Sequence, residues 1–506
     1  MQQGDLNCNK RKVGHRIECL LFILKILIKY KMRLTYKTSK IGHLAIFIGL
    51  LILSSCKKDL PGALDTSANL TVLNSIKIVN AGAFGTTVLT GVIDEEAKTV
   101  SFPRIEPTTN FSNLKFEAVL SDGAKLDKEI YPVTFEDGQT EKVIVVKALN
   151  SLRYREYLVK LRLKVPVFGA DFLTGKTYDF TSNPLGSPIY DAFAGALTRG
   201  SGFDGQQVLV VRREAPHLLN VSDLTRGVIN RVPLNITGVA GGTFAMNMGA
   251  QINGRTYIAS LSGGNTSPLR IYYWTNPSDA PQVILNTTTA AISGAGLRNG
   301  DNFSVSLNDQ GNGYIFFGDN LGTRTLRYDV TNYTTVNNPT SFAIPVAAPG
   351  SWTSYNRIGN SNEYIFTGHD APVALISEGG AASYTMSRFS IPVRGMDARV
   401  VNFNAERYLI ITTAARTGSE ATVFFVYDIT KGATVKDAIT NLDTAPTITP
   451  VFQYALMGPV NTSPVSQTGF FVKKDASGND VSLMLYSAAS DAGFVLFEFG
   501  KKIAQD

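Results

Sequence analysis

Beyond Asn74 the chain is written in short runs of Val, Ile, Leu, Phe and Tyr, cut by Gly, Asn, Asp, Ser and Thr. Runs of four to eight apolar or alternating residues between turn formers read as β-strands. No stretch carries the apolar spacing of an ordinary amphipathic helix. SIKIVN (75–80), TVLTGVID (87–94), TVSFP (99–103), LKFEAVL (114–120), KVIVVKAL (142–149) and REYLVKLRLK (155–164) follow one another closely. Several alternate apolar and polar positions, so each buries one face. Their spacing predicts a small β-sandwich over 74–166.

From residue 167 to 506 the pattern repeats. A tyrosine followed by Ile or Leu opens a strand at Tyr257, Tyr314, Tyr364 and Tyr408, with gaps of 57, 50 and 44 residues. Partner strands follow in LRIYYW (269–274), LRYDVT (326–331) and FFVYDIT (424–430). A period near 50 in an all-strand sequence is that of propeller blades. Each unit offers about four strands, one sheet that cannot bury its own face, which disfavours a stacked array of sandwiches. The expected fold is all-β, with six propeller blades. Seven is the alternative, because 440–467 is long and has no clear assignment. The last blade supplies only 469–474, 481–486 and 494–499. KTYDFTS (176–182), just ahead of the first repeat, is expected to fill its fourth position and remove the open edge.

Upstream lies an apolar run of ten residues, Leu44 to Leu53. A bilayer span takes about 20 residues, so this run reads as the core of a signal peptide. Arg33, Lys37 and Lys40 precede it, after an internal Met32 that is the expected translation start; a genuine extended leader is the alternative. Leu53-Ser54-Ser55-Cys56 follows and resembles the lipobox of bacterial lipoproteins. That resemblance implies a lipidated Cys56 at the mature N-terminus and a membrane anchor. Residues 1–55 are then a leader and 56–73 a polar tether. Charge changes meaning with this division. The leader holds ten of the 48 Lys/Arg and two of the 41 Asp/Glu, leaving 38 against 39, a net of −1. The basic balance of the whole chain belongs to the leader, and nothing electrostatic supports nucleic-acid binding. Cys8 and Cys19 also fall in the leader, so no disulfide framework or cysteine metal site is expected.

In propellers, the loops between second and third strands and between successive blades share one face, which commonly carries the ligand. Arg212, Arg213, His217, Asp319, Asn320, His369 and Asp370 fall in the first kind of loop, and Trp352 and Arg357 in APGSWTSYNR (348–357), of the second kind. Such a set suits a sugar: a flat ring for the apolar face, planar donors and acceptors for hydroxyls. No nucleophile elbow, zinc-protease helix, phosphate loop or dinucleotide fingerprint is present. DASGND (475–480) lacks the spaced carboxylates of a calcium loop. No catalytic residue, metal or cofactor is expected, although carboxylate pairs of a glycosidase are spatial and leave no linear motif.

Ile76, Gly91-Val92-Ile93, Val100-Ser101-Phe102-Pro103, Gly123-Ala124, and Val146 through Tyr157-Leu158-Val159 resemble, in order, the Ig-like module near the N-terminus of many Bacteroidetes lipoproteins. With the repeats and Cys56, the whole resembles Bacteroidetes envelope lipoproteins that pair an Ig-like spacer with a β-propeller. Many of these accompany outer-membrane glycan uptake systems. The resemblance implies an outer-membrane lipid-anchored protein, periplasmic or surface-exposed. It also implies non-catalytic binding of a glycan or glycoconjugate, with an uptake complex as partner. A protein-interaction scaffold and a glycoside hydrolase or lyase are the alternatives.

Overall fold

The computed structural model describes residues 70–181, 190, 193, 197–387, 390–392 and 394–503. The leader, Cys56 and the tether lie outside them. The chain divides into two compact units, one ending at Lys164 and the other beginning at Val165. No helix among the described residues is long and apolar enough to cross a membrane.

The first unit contains β1 (Leu73–Ala81), β2 (Thr87–Thr90), β3 (Val92–Asp94), β4 (Thr99–Ser101), β5 (Leu114–Leu120), β6 (Lys125–Leu126), β7 (Ile130–Tyr131), β8 (Glu141–Asn150) and β9 (Arg153–Arg162). They form two sheets, in the orders β2-β1-β5-β7 and β3-β4-β9-β8-β6. Alternation decides the core. Ile76 and Ile78 from one sheet meet Val146, Ala148, Tyr157 and Val159 from the other. The intervening residues Val143, Val145 and Leu158 face outward. Tyr157 closes the layer by donating to Glu95 (2.8 Å) and accepting the Leu73 amide (2.9 Å).

The second unit opens with β10 (Lys176–Thr181) and continues as a chain of antiparallel sheets. Blade 1 is β11 (Thr198–Phe203), β12 (Gln207–Arg212), β13 (His217–Asn220) and β14 (Arg231–Pro233). Blade 2 is β15 (Phe244–Ile252), β16 (Arg255–Leu261), β17 (Pro268–Trp274) and β18 (Gln282–Thr288). Blade 3 is β19 (Ser304–Leu307), β20 (Gly313–Gly318), β21 (Arg324–Thr331) and β22 (Thr335–Ala343). Blade 4 is β23 (Thr353–Arg357), β24 (Glu363–Gly368), β25 (Ala371–Ser377) and β26 (Ala382–Thr385). Blade 5 is β27 (Gly395–Phe403), β28 (Glu406–Thr413), β29 (Val423–Asp428) and β30 (Phe452–Ala455). The last sheet runs β10-β33-β32-β31, with β31 (Ser466–Lys474), β32 (Asp480–Ala489) and β33 (Gly493–Gly500). Its outer strand therefore comes from the start of the unit. The register runs from Lys176 opposite Glu498 to Thr181 opposite Gly493.

Each blade's first strand touches the first strand of the next, and β31 returns to β11, so the six sheets close a propeller-like ring. There is no seventh sheet among the described residues. Residues 440–467, which had no sequence assignment, hold the end of a helix, α1 (Val435–Asp443), then β30 and the loop into β31. Thr434 and Asp437 cap this helix reciprocally, each side chain accepting the other's amide at 3.1 Å. Nine residues with only Ala438 and Ile439 buried give too short an apolar stripe to see in the sequence.

Two features hold neighbouring blades together. The inner strands approach closely: a Cβ on Gly200 would lie 2.4 Å from the Gly249 amide, so glycine is needed there. Side chains also reach across. Asn247 donates to the Gly300 carbonyl (2.9 Å) and to Asp301 (2.8 Å). Asn356 donates to Asp397 (2.6 Å) and to the Ala398 carbonyl (2.9 Å). The repeating tyrosines are structural: Tyr257, Tyr364 and Tyr408 are buried near the start of their second strands.

Candidate functional site

The ring axis is lined by the first strands of all six blades, among them Ser201, Met248, Ser304, Thr353, Asp397 and Ser466. The free space is about 60 Å³. That suffices for a few waters, each needing roughly 10–15 Å³. It is far short of the roughly 300 Å³ of a small-molecule pocket. A sugar-sized ligand on this axis would sit at the mouth, where loops 213–216, 262–267, 319–323, 369–370, 414–422 and 490–492 meet the inter-blade loops. A larger space of about 600 Å³ lies at the opposite ends of blades 1 and 2, between Gln206, Asn220, Gly254, Trp274 and Pro277.

One cluster lies across blades 1 to 3. Arg213, just past β12, lays its guanidinium over the Phe244 ring and donates to the side-chain oxygen Oδ1 of Asn247 (3.0 Å). Asn247 passes its amide to Asp301. Asp301 also accepts the Asn320 side-chain amide (2.5 Å) and stands 3.8 Å from Arg298. Arg199, at the start of β11, is buried and donates to the Ser463 carbonyl. Burial pushes the Arg213 pKa down to about 10, helped by the like charges of Arg199 and Arg298 and opposed by Asp301. Arg213 Nε, Asn299 Oδ1 and Asn320 Oδ1 are buried with no protein partner.

A second cluster lies across blades 4 and 5. Arg394, held at φ +74°, donates to Glu420 (2.5 Å), to Asp370 and to His369 Nδ1 (3.3 Å). Burial, then Arg394 and Arg416, pushes the His369 pKa down to about 4. The ring is therefore neutral, with its proton on Nε2. Its 3.4 Å approach to Asp370 is not an ion pair. Partial burial pushes the Glu420 carboxyl up, but the Arg416 amide, Arg394 and the Thr417 amide outweigh it and hold it below the ordinary range. Asp370 and Glu420 neutralise one arginine between them, and Glu420 is poorly suited to give up a proton in catalysis.

The nine sequence candidates thus part company. Arg213 and Asn320 reach the first cluster, and Trp352, His369 and Asp370 the second. Trp352 is only 9% exposed; His369 packs against it edge-on at 5.3 Å, and Arg416 lies 5.4 Å from its ring. It is no open stacking platform. His217 is buried: its Nδ1 donates to the Ala215 carbonyl (2.8 Å) and its Nε2 accepts the Tyr190 hydroxyl. Asp319 is spent on its own turn, accepting the amides of Thr323 (2.7 Å) and Arg324 (3.0 Å). Arg212 ends β12 opposite Thr198 and is half-buried. Arg357 does not belong to this face. It ends β23 at the other side of the ring and bonds the carbonyls of Ser361 (2.6 Å) and Asn360 (3.1 Å). Sequence reading missed Arg199, Asn247, Arg298, Asp301, Arg394 and Glu420. The one usable signal was in the inter-blade loops, where LRNGDN (297–302) is as polar as any loop chosen.

A family model described as a domain of unknown function, DUF4623, matches residues 58–502. The chain belongs to the DUF4623 family. The crystal structure of a DUF4623 family protein from Bacteroides eggerthii is 40% identical, covers 86% of this chain and 99% of that one, and superposes with a TM-score of 0.76. More remote is a calcium-binding protein, regucalcin, from Agrobacterium tumefaciens, at 13% identity and TM-score 0.37, with 62% of this chain and 94% of that one covered. The WD40 domain of Neurospora crassa Pan2 matches at 10% identity and TM-score 0.34, over 63% of this chain and 94% of that one. No curated protein matches this DUF4623 chain.

Proposed function

We propose that this DUF4623 protein is a lipid-anchored envelope protein of the Bacteroidetes type that binds a glycan, without catalysis, on the loop face of its ring. In this reading Cys56 carries the lipid, and the N-terminal sandwich is an Ig-like spacer. The observation that carries the binding role is the mouth over blades 1 to 3. There Arg213, Asn247, Asp301 and Asn320 form a continuous polar chain, and Arg213 Nε, Asn299 Oδ1 and Asn320 Oδ1 have no protein partner. A buried polar atom left unpaired costs about 1–3 kcal/mol. Planar amides and a guanidinium beside such atoms match the hydroxyls of a sugar. The runner-up is a protein-interaction platform. It draws on Val143, Val145 and Leu158, which sit exposed on the outer face of β8 and β9.

Two measurements test the proposal. On a glycan array the mature chain is expected to bind at least one saccharide, and Asn320→Ala to weaken that binding about tenfold, the loss of roughly one good hydrogen bond. An array without hits would turn attention to the platform reading. Metabolic labelling with a fatty-acid analogue should mark the wild type and not Cys56→Ser; equal labelling of both would remove the anchor.

A further inference from the structure

The geometry points to an oxyanion on the ligand, the carboxylate or sulfate of an acidic glycan, received by Arg213 with Arg199 and Arg298 beside it. This rests on the glycan reading above and narrows it. Arg199, buried, and Arg298, partly exposed, both act electrostatically on Arg213 at this corner of the mouth. The carboxylates facing them are Asp301 and, at Arg199, Asp491. Asp301 is already committed. One oxygen accepts Asn247 and the other Asn320, and its approach to Arg298 is a loose 3.8 Å. Arg213 itself contacts a neutral amide oxygen and an aromatic face, and its Nε is buried with no protein partner.

Arg394 is an internal control. It too stands on the loop face, but Asp370 and Glu420 both pair with it. There the fold supplies the anions itself. At Arg213 it supplies none in contact, and the like charges of Arg199 and Arg298 act on it. An arginine kept in that state has a planar fork ready for two parallel bonds to a carboxylate or sulfate. Arg298, with 44% of its side chain exposed, is placed to approach the same group from solvent. The Asn320 amide would then lie beside the sugar ring, with the buried Asn247 holding Asp301 behind it.

The test is titration calorimetry on the mature chain with matched oligosaccharides. These are an oligogalacturonate, its methyl ester, and a sulfated and an unsulfated oligogalactan. An acidic member is expected to bind at least tenfold more tightly than its neutral partner, and to weaken as salt rises. Arg213→Gln should abolish that preference, bringing the acidic member to the affinity of its neutral partner. Arg298→Gln, at an exposed position, should reduce it severalfold with an unchanged melting temperature, which guards against misfolding as the cause. Preference for the sulfated pair alone keeps the inference and names the anion. Equal binding of acidic and neutral partners, indifferent to both variants, overturns the inference and leaves glycan binding standing. No binding by any of the four, joined to an empty array, overturns both.

Discussion

Deleting residues 170–181 is expected to unfold the ring rather than trim it. β10 is the outer strand of a sheet whose other three strands end the chain. Without it, β33 becomes an exposed edge carrying Val495 and Phe497, a template for pairing with another molecule. The loss runs deeper than one strand's hydrogen bonds. Phe180 is buried and stacked on Phe494 at 4.9 Å, in a core shared with Val208, Val210 and Leu219 of blade 1. Asp179 accepts the Tyr454 hydroxyl of blade 5 at 2.6 Å. The segment therefore touches the blades on both sides of the closure. Phe180→Ala alone should cost about 3–5 kcal/mol, as for other buried phenylalanines. The deletion should give aggregates in size-exclusion chromatography. A deleted chain that stays monomeric, with the melting temperature of the full one, would show that closure contributes nothing.

That closure was legible in the sequence because a repeat unit with three strands demands a fourth. The blade period was legible because three of the four tyrosines that mark it, Tyr257, Tyr364 and Tyr408, are buried at equivalent places, so packing keeps them near a common spacing. The site was legible only in part, for reasons of direction. A loop assignment says which end of the ring a residue is near, not where its side chain turns. His217 and Asp319 sit in the right loops and turn inward, to a hydroxyl and to their own turn amides. Arg357 shows the other failure. It lies five residues past Trp352, and a strand rises about 3.3 Å per residue, so it is carried roughly 16 Å to the opposite face. Of the residues that complete the clusters, Arg298, Asp301 and Arg394 come from inter-blade loops and Arg199 and Asn247 from first strands. Their partners are distant in sequence: Asn247 with Asp301, and Arg394 with Asp370 and Glu420. No local pattern records such pairs.

Asp397→Asn is expected to destabilise the ring by about 2–4 kcal/mol, although it keeps the side chain's size and shape. Asp397 is buried and joins three blades. One oxygen accepts the Asn356 amide of blade 4 at 2.6 Å; the other accepts both the amide and the hydroxyl of Thr468 in blade 6 at 2.7 Å. Both oxygens are acceptors, so an asparagine must turn its NH₂ against a donor in either orientation. The Thr468 amide is backbone and keeps the oxygen, so the NH₂ faces the Asn356 amide, which cannot flip without giving up its bond to the Ala398 carbonyl. Asp301 makes a similar link between blades 2 and 3, but the donor at its second oxygen is the side chain of Asn320. That amide can flip and offer its own oxygen, so Asp301→Asn should cost only about 1 kcal/mol. Urea denaturation of the two variants separates the cases. Equal midpoints would mean that the blade-to-blade acceptors are interchangeable. A larger loss at Asp397 would mean that the same device is locked at the ring axis and adjustable on the loop face.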